Sequence, residues 1–227
     1  MKSSRSICVL LGLVILSLSV GTAAIAPARE SSGTAANERN REVGTPVELV
    51  QDGGFEAGTP SPFWTEASTN FGTPLCDLTI CSDGGGTGPF AGSWWAFFGG
   101  IEGFLEQGSV SQTIQGGSGD LCTLSFWLEI PATSGNGTDF LEARIGGTAV
   151  WVVLESAGPF VGYTQITQDV SAWIDGTPQT LEFFGETSGE PGLSNFFVDE
   201  ISLTCEAPIF VDGFESGDLS AWSDAVP

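Results

Sequence analysis

Between residues 47 and 206, apolar side chains fall at every second position in short runs, and clusters of Gly, Ser, Asp and Pro separate the runs. Period two is the spacing of a half-buried strand, and regular turn clusters between such runs are the pattern of a sandwich. The segment therefore reads as one all-β domain of two antiparallel sheets. The predicted strands are 47–51, 94–98, 104–114, 121–130, 140–145, 148–154, 163–170, 180–185 and 196–204; no segment carries a convincing helical period.

Gly146-Gly147 between 140–145 and 148–154 marks a two-residue hairpin, because glycine tolerates the positive φ of a type I′ turn. The turn sets a register in which Ile145 pairs with Thr148, Ala143 with Val150 and Leu141 with Val152 on the core face. Arg144 then pairs with Ala149 and Glu142 with Trp151 on the other. In 121–130 the same parity sends Leu124, Phe126, Leu128 and Ile130 inward and Ser125, Trp127 and Glu129 outward. A sheet surface presenting Trp127, Glu129, Glu142, Arg144, Trp151, Tyr163 and Gln165 suits a sugar, since aromatic faces stack on C–H surfaces and flanking polar groups bond hydroxyls. Under a covering layer or loop the same aromatics are core.

Composition narrows the chemistry. The 227 residues hold 28 Asp+Glu against 6 Lys+Arg, a formal net charge of −22, with no His. Arg144 is the only base beyond residue 41. A chain without a basic stripe is no partner for nucleic acid or an anionic membrane. Without imidazole there is no Ser-His-Asp or Cys-His relay and no His-ligated metal. Oxygen-ligand metals and carboxylate chemistry remain. A glycosidase or lyase would need two carboxylates facing one cleft, for which Glu129 and Glu142 are candidates. With so few bases and charge stabilisers the expectation is a non-catalytic protein.

Lys2 and Arg5, the apolar run 7–20 and the small residues Thr22-Ala23-Ala24 follow the order of a secretory signal peptide cleaved after Ala24, and the run is short for a membrane span. Residues 25–46 read as a flexible linker and 207–227 as a tail, so that the domain proper is 47–206. The tail segment Phe210-Val-Asp-Gly-Phe-Glu-Ser-Gly217 followed by Trp222 echoes Val50-Gln-Asp-Gly-Gly-Phe-Glu-Ala-Gly58 followed by Trp64. Beyond Cys8, four cysteines in an exported chain favour two disulfides, with three connectivities open. The chosen pairing is Cys76 with Cys81, closing a small loop, and Cys122 with Cys205, joining a central strand to the last one.

Asp199 shares parity with Phe197, Ile201 and Leu203 and so points inward. A buried carboxylate needs a partner, and in a chain so poor in cations a structural calcium is the economical answer, with Glu56 of Asp52-Gly-Gly-Phe-Glu56 as a second ligand. The alternative is that Asp199 caps a loop by accepting backbone N–H bonds.

Asp52-Gly-Gly-Phe-Glu56 leading to Trp64, Gly92-Ser-Trp-Trp-Ala-Phe-Phe98, and Phe197-Val-Asp-Glu-Ile-Ser-Leu203 resemble the opening, middle and closing strands of galactose-binding-like jelly rolls, a group that includes many carbohydrate-binding modules. The resemblance implies a jelly-roll β-sandwich and a calcium held by Glu56, Ser93 and Asp199. Cys122-Thr-Leu-Ser-Phe-Trp127 and Asp199-Glu-Ile-Ser-Leu-Thr-Cys205 are similar to the paired cysteine strands of MAM adhesion domains, which supports the Cys122–Cys205 bridge. The expectation is an exported module that binds a polysaccharide or glycan, with an adhesive protein meeting another surface protein as the alternative.

Overall fold

The computed structural model describes residues 45–208. The expected signal peptide, the linker to residue 44 and the tail from residue 209, including its repeat, lie outside the described residues.

Two antiparallel sheets face each other. The first holds β1 (Val47–Glu48), β3 (Leu75–Asp77), β4 (Trp94–Gly99), β6 (Leu121–Ala132), β9 (Phe160–Asp169) and β11 (Asn195–Glu206) in the order β3-β4-β11-β6-β9, with β1 pairing to the end of β11. The second holds β2 (Thr65–Ser68), β5 (Glu106–Ile114), β7 (Phe140–Ile145), β8 (Thr148–Leu154) and β10 (Gln179–Thr187) in the order β2-β5-β10-β7-β8. The expected all-β, jelly-roll type of sandwich is therefore what the chain forms.

Alternation builds the core as expected on β6, where Leu124, Phe126, Leu128 and Ile130 are all fully buried. Phe126 meets Phe183 of the second sheet edge-on, with ring centroids 4.9 Å apart. The opening segment closes one side of the sandwich. Phe55 and Trp64 are buried with centroids 5.2 Å apart, and the Asp52 carbonyl accepts the Trp64 indole N–H at 2.9 Å. Gly53 has no room for a side chain, because the Ile201 carbonyl oxygen lies 1.8 Å from where its Cβ would sit. Both expected disulfides form, Cys76–Cys81 and Cys122–Cys205, and the latter joins residues directly opposite each other on β6 and β11.

Three features depart from the sequence reading. Strands β2 and β3, of four and three residues, are too short to show a period. They are followed by a one-turn helix, α1 (Leu78–Cys81), that the Asp77 carboxylate caps by accepting from Thr79 and Ile80 N–H. The second departure is a bulge in the hairpin. Ile145↔Thr148 and Arg144↔Ala149 pair as expected, but the register then slips, so Ala143 faces Trp151 and Glu142 faces Val152. A one-residue slip moves side chains to the opposite face. Trp151 thus turns to the core, where its ring meets Phe126 edge-on at 5.0 Å, and Val152 is 55% exposed. The third is a bulge in β11 between Asp199 and Ser202, with Glu200 at φ 50°. It reverses parity: Ile201 and Leu203 join the main core, while Phe197 packs with Trp95 and Cys76 in a second cluster on the outer side of the first sheet.

Among the described residues Arg144 is the only base, yet Glu106, Glu129, Asp139, Glu155 and Asp199 are buried. Backbone amides and hydroxyls of the Gly- and Ser-rich loops take the place of cations. Glu155 accepts from Ser134 N–H (2.6 Å), Ser134 Oγ (2.9 Å), Gly135 N–H (3.1 Å) and Ser194 Oγ (2.6 Å), and from Gly137 N–H. Burial pushes its carboxyl up, but these bonds outweigh that and hold it down at about 2. Asp139 receives Ser188 N–H at 2.9 Å and the Asn136 side-chain amide at 2.8 Å. Asn136, the acceptor position of a glycosylation sequon, is therefore spent on internal bonding.

Candidate functional site

The residues expected to form one surface divide among three places. Trp127, Glu129, Tyr163 and Gln165 lie on β6 and β9 of the first sheet, Glu142 and Arg144 on β7 of the second, and Trp151 against the core between them. Glu129 and Glu142 thus belong to opposite outer faces and cannot flank one bond, which removes that pair as glycosidase carboxylates.

The outer face of the first sheet is covered by the segment 82–93. Glu129 points outward as parity requires but is only 2% exposed, because its carboxylate accepts Thr87 N–H (3.1 Å), Thr87 Oγ (2.6 Å) and Gly162 N–H (3.2 Å). Phe90 stacks on Trp127 with centroids 4.0 Å apart and meets Tyr163 edge-on at 5.4 Å. The Tyr163 hydroxyl donates to the Gly88 carbonyl at 2.7 Å; burial, and then the nearby Asp199 and Glu129 charges, push its pKa far up. This aromatic set is mainly the seat of the covering loop, while Gln165 is exposed beside it.

Asp199 lies under the same loop, buried on the outer side of its sheet and not on the inner side that simple parity implied. Its Oδ2 accepts Phe90 N–H (2.8 Å) and Ala91 N–H (3.1 Å), and its Oδ1 accepts Glu200 N–H (2.7 Å). Glu56 grips the far end of the loop through Ser93 N–H (2.8 Å) and Trp94 N–H (3.0 Å), so Ser93 meets Glu56 as a backbone donor. Burial pushes the Asp199 carboxyl up to about 7 against the pull of its three N–H donors, and the neighbouring Glu200 charge adds to the rise. A Cβ on Gly54 would lie 2.8 Å from Glu200 Oε1 and 3.9 Å from Asp199 Oδ1. Two carboxylate oxygens thus converge on a small cradle beside a glycine, with no cationic side chain on that face. Backbone N–H donors cap Asp199, the alternative to an ion; the side-chain donors beside it, all carboxylate oxygens, are of the type calcium takes.

The outer face of the second sheet is built differently. Alternation along β10 places Glu182, Phe184 and Glu186 outward, opposite Arg144, Glu142 and Phe140 of β7 and Ser111, Ser109 and Gln107 of β5. Arg144 donates through Nε to Glu142 Oε2 at 2.7 Å and through Nη1 to Glu182 Oε2 at 3.2 Å. Its Cζ lies 4.1 Å from the centre of the Phe184 ring, and the Phe140 ring stands 6.0 Å from Phe184. Burial alone would lower the Arg144 pKa, but the bonds and charges of Glu142 and Glu182 raise it on balance. The guanidinium is held in a fixed plane with 25% of its side chain still accessible. At the edge of this face a 630 Å³ depression is lined by Thr113, Gly146, Gly147, Pro178, Gln179, Thr180 and Glu182. From the sequence, Glu142 and Arg144 were expected here with Phe140 on the same face though outside the candidate site, whereas Phe184 and Glu182 were missed. The outward parity of 182 and 184 was the available signal.

No protein-family model matches the chain, and no curated protein matches it. Among solved structures it is similar to TmCBM61 in complex with beta-1,4-galactotriose, at 14% identity and TM-score 0.49, covering 69% of this chain and 97% of that one. It is also similar to a Stig cyclase from Fischerella sp. TAU in complex with (3Z)-3-(1-methyl-2-pyrrolidinylidene)-3H-indole, at 14% identity and TM-score 0.48, covering 72% and 100%. A third similar structure is Family 16 Carbohydrate Binding Module-2, at 16% identity and TM-score 0.41, covering 68% and 98%.

Proposed function

We propose that the chain is an exported, non-catalytic module that binds a neutral glycan on the outer face of its five-stranded sheet. The observation that carries this reading is Arg144, pinned between Glu142 and Glu182 over the Phe184 ring on a face that no described loop covers. A preset fork of donors flanked by carboxylate acceptors bonds vicinal hydroxyls in both directions, and the exposed parts of Phe184 and Phe140 offer apolar surface to sugar C–H groups. Thr113, Thr180 and Gln179 in the adjoining depression extend the polar lining. Two disulfides suit an oxidising compartment, and no helix among the described residues is long and apolar enough to cross a membrane.

The test is retardation of the protein in gels containing a panel of neutral polysaccharides. Retardation is expected to fall at least about tenfold in Phe184→Ala and in Arg144→Ala, the loss of an aromatic or charged anchor at a binding face, and to persist in Trp127→Ala. Loss in Trp127→Ala alone would move the site to the loop-covered face.

Calcium belongs to the same proposal as a structural ion held by Asp199, with Glu56 and Ser93 at the other end of the bridged segment. Its role would be to neutralise Asp199 and fix the 90–94 segment. At a hundredfold excess over its dissociation constant such an ion adds about 2.7 kcal/mol of stability. The expected result is a melting temperature that rises with calcium and returns with chelator; identical curves would remove the ion from this reading.

A further inference from the structure

A two-sheet sandwich has four edge strands, and an edge with free N–H and C=O groups is a template for another strand unless it is short, charged or interrupted. Apart from β1, two residues with Glu48 whose outer side is a further edge, three of the four are protected in those ways. Strand β2 has four residues and carries Glu66; β3 has three and runs into α1; β9 ends in Asp169 and exposes Thr164, Gln165 and Thr167. Strand β8 is different. Its seven residues, TAVWVVL, contain no charge, Pro or Gly, and they pair with β7 alone. Val152 is 55% and Leu154 44% exposed on its outer side. The charge-free run extends from Ile145 to Leu154 in a chain with 28 acidic residues.

We infer that β8 is a homodimer interface, pairing antiparallel with β8 of a second copy. Charge decides the occupant. Copies this acidic repel one another wherever carboxylates meet, and β8 is an edge along which two backbones approach with no acid against an acid. The nearest charges one strand in, Arg144 and Glu142, neutralise each other at 2.7 Å. The strand is also self-complementary. With the two-fold axis at Val152, that residue meets its own copy and Trp151 meets Val153, apolar cross-strand pairs, while Val150 at the bulge stays in the core. The bulge lies toward the other end of the strand, so residues 151–154 keep regular pairing with β7 and present a straight edge. The product is one ten-stranded sheet with both outer faces on the same side. If those faces bind glycan, as proposed above, a polymer could engage two sites at once. The pairing itself does not depend on that reading.

Sedimentation equilibrium of the full chain, without polysaccharide and at about 0.15 M salt to screen the residual repulsion, tests the inference. The wild type is expected to be a dimer, Val152→Thr to remain one, and Val152→Glu to dissociate at least about tenfold more readily, since it sets two like charges against each other. A wild type that stays monomeric into the high micromolar range, or a dimer untouched by Val152→Glu, overturns it. Hydrogen exchange of the wild type provides a readout that needs no variant. Amide protection at 150–154 should rise with protein concentration, and exchange independent of concentration overturns the inference.

Discussion

Replacing Cys122 and Cys205 together by alanine lowers the stability of the folded chain by about 4–5 kcal/mol, the loop-entropy value for a bridge between residues 83 apart in sequence. The bridge ties the start of β6 to the end of β11, the two long strands at the centre of the first sheet, and both sulfurs are buried. Without it the reduced, unfolded chain gains all the configurations that the cross-link forbade. The Cys76–Cys81 bridge spans 5 residues and, on the same scale, is worth about 2 kcal/mol. Urea unfolding of the two double variants checks this: the midpoint of the Cys122/Cys205 pair should fall about twice as far. Equal losses would mean that the long bridge acts on native packing and not through the unfolded chain.

Glu155→Gln should cost about 3 kcal/mol at neutral pH, and that cost should vanish in acid. The sign follows from proton binding. The Glu155 carboxyl titrates at about 2 in the folded chain against 4.5 unfolded, so between those values the unfolded state binds the extra proton. Stability from Glu155 is therefore complete above about pH 4.5 and is lost as pH falls through about 2. The difference of some 2.5 units corresponds to about 3 kcal/mol. Glutamine keeps one acceptor but turns an NH₂ toward donors such as the Gly137 and Ser134 amides, an unsatisfied buried arrangement. Asp199, raised to about 7, acts in the opposite sense, since stability tied to its protonated form is lost as pH rises toward neutrality. The informative quantity is thus the wild-type minus variant difference between pH 7 and pH 2.5, in which Asp199 cancels. A difference that does not change with pH would show that hydrogen-bond geometry, and not the ionised carboxylate, holds the loops.

How far the sequence could be read depended on whether alternation ran uninterrupted. On β6 it does, and Leu124, Phe126, Leu128 and Ile130 were assigned correctly. On β8 and β11 a single bulge breaks it. Trp151 consequently exchanges the surface for the core, and Asp199 is buried as expected but on the other side of its sheet. Nothing in TAVWVVL or in Val-Asp-Glu-Ile announces such an insertion, because the extra residue is fixed by pairing with strands distant in sequence. The fate of Glu129 and Trp127 was hidden for another reason: the Gly-rich 82–88 stretch has no period from which its resting place could be inferred. The cysteine pairing, by contrast, was chosen correctly among three open connectivities, on a short loop for one bridge and, for the other, a link from a central strand to the last and the likeness to paired cysteine strands. The open face of the second sheet was half legible through Glu142 and Arg144.

The replacement of cations by peptide groups inside this molecule bears on how it meets brine. Ion pairs weaken as dissolved salt accumulates, whereas a carboxylate held at short range by amides such as those of Gly135, Phe90 or Ser93 has no mobile counter-charge to lose. The crowd of like charges on the exterior is what salt does reach, and there screening removes repulsion. Ionic strength therefore presses this chain in one direction, toward compactness and toward its neighbours, and fresh water, not salt water, is its harsher medium.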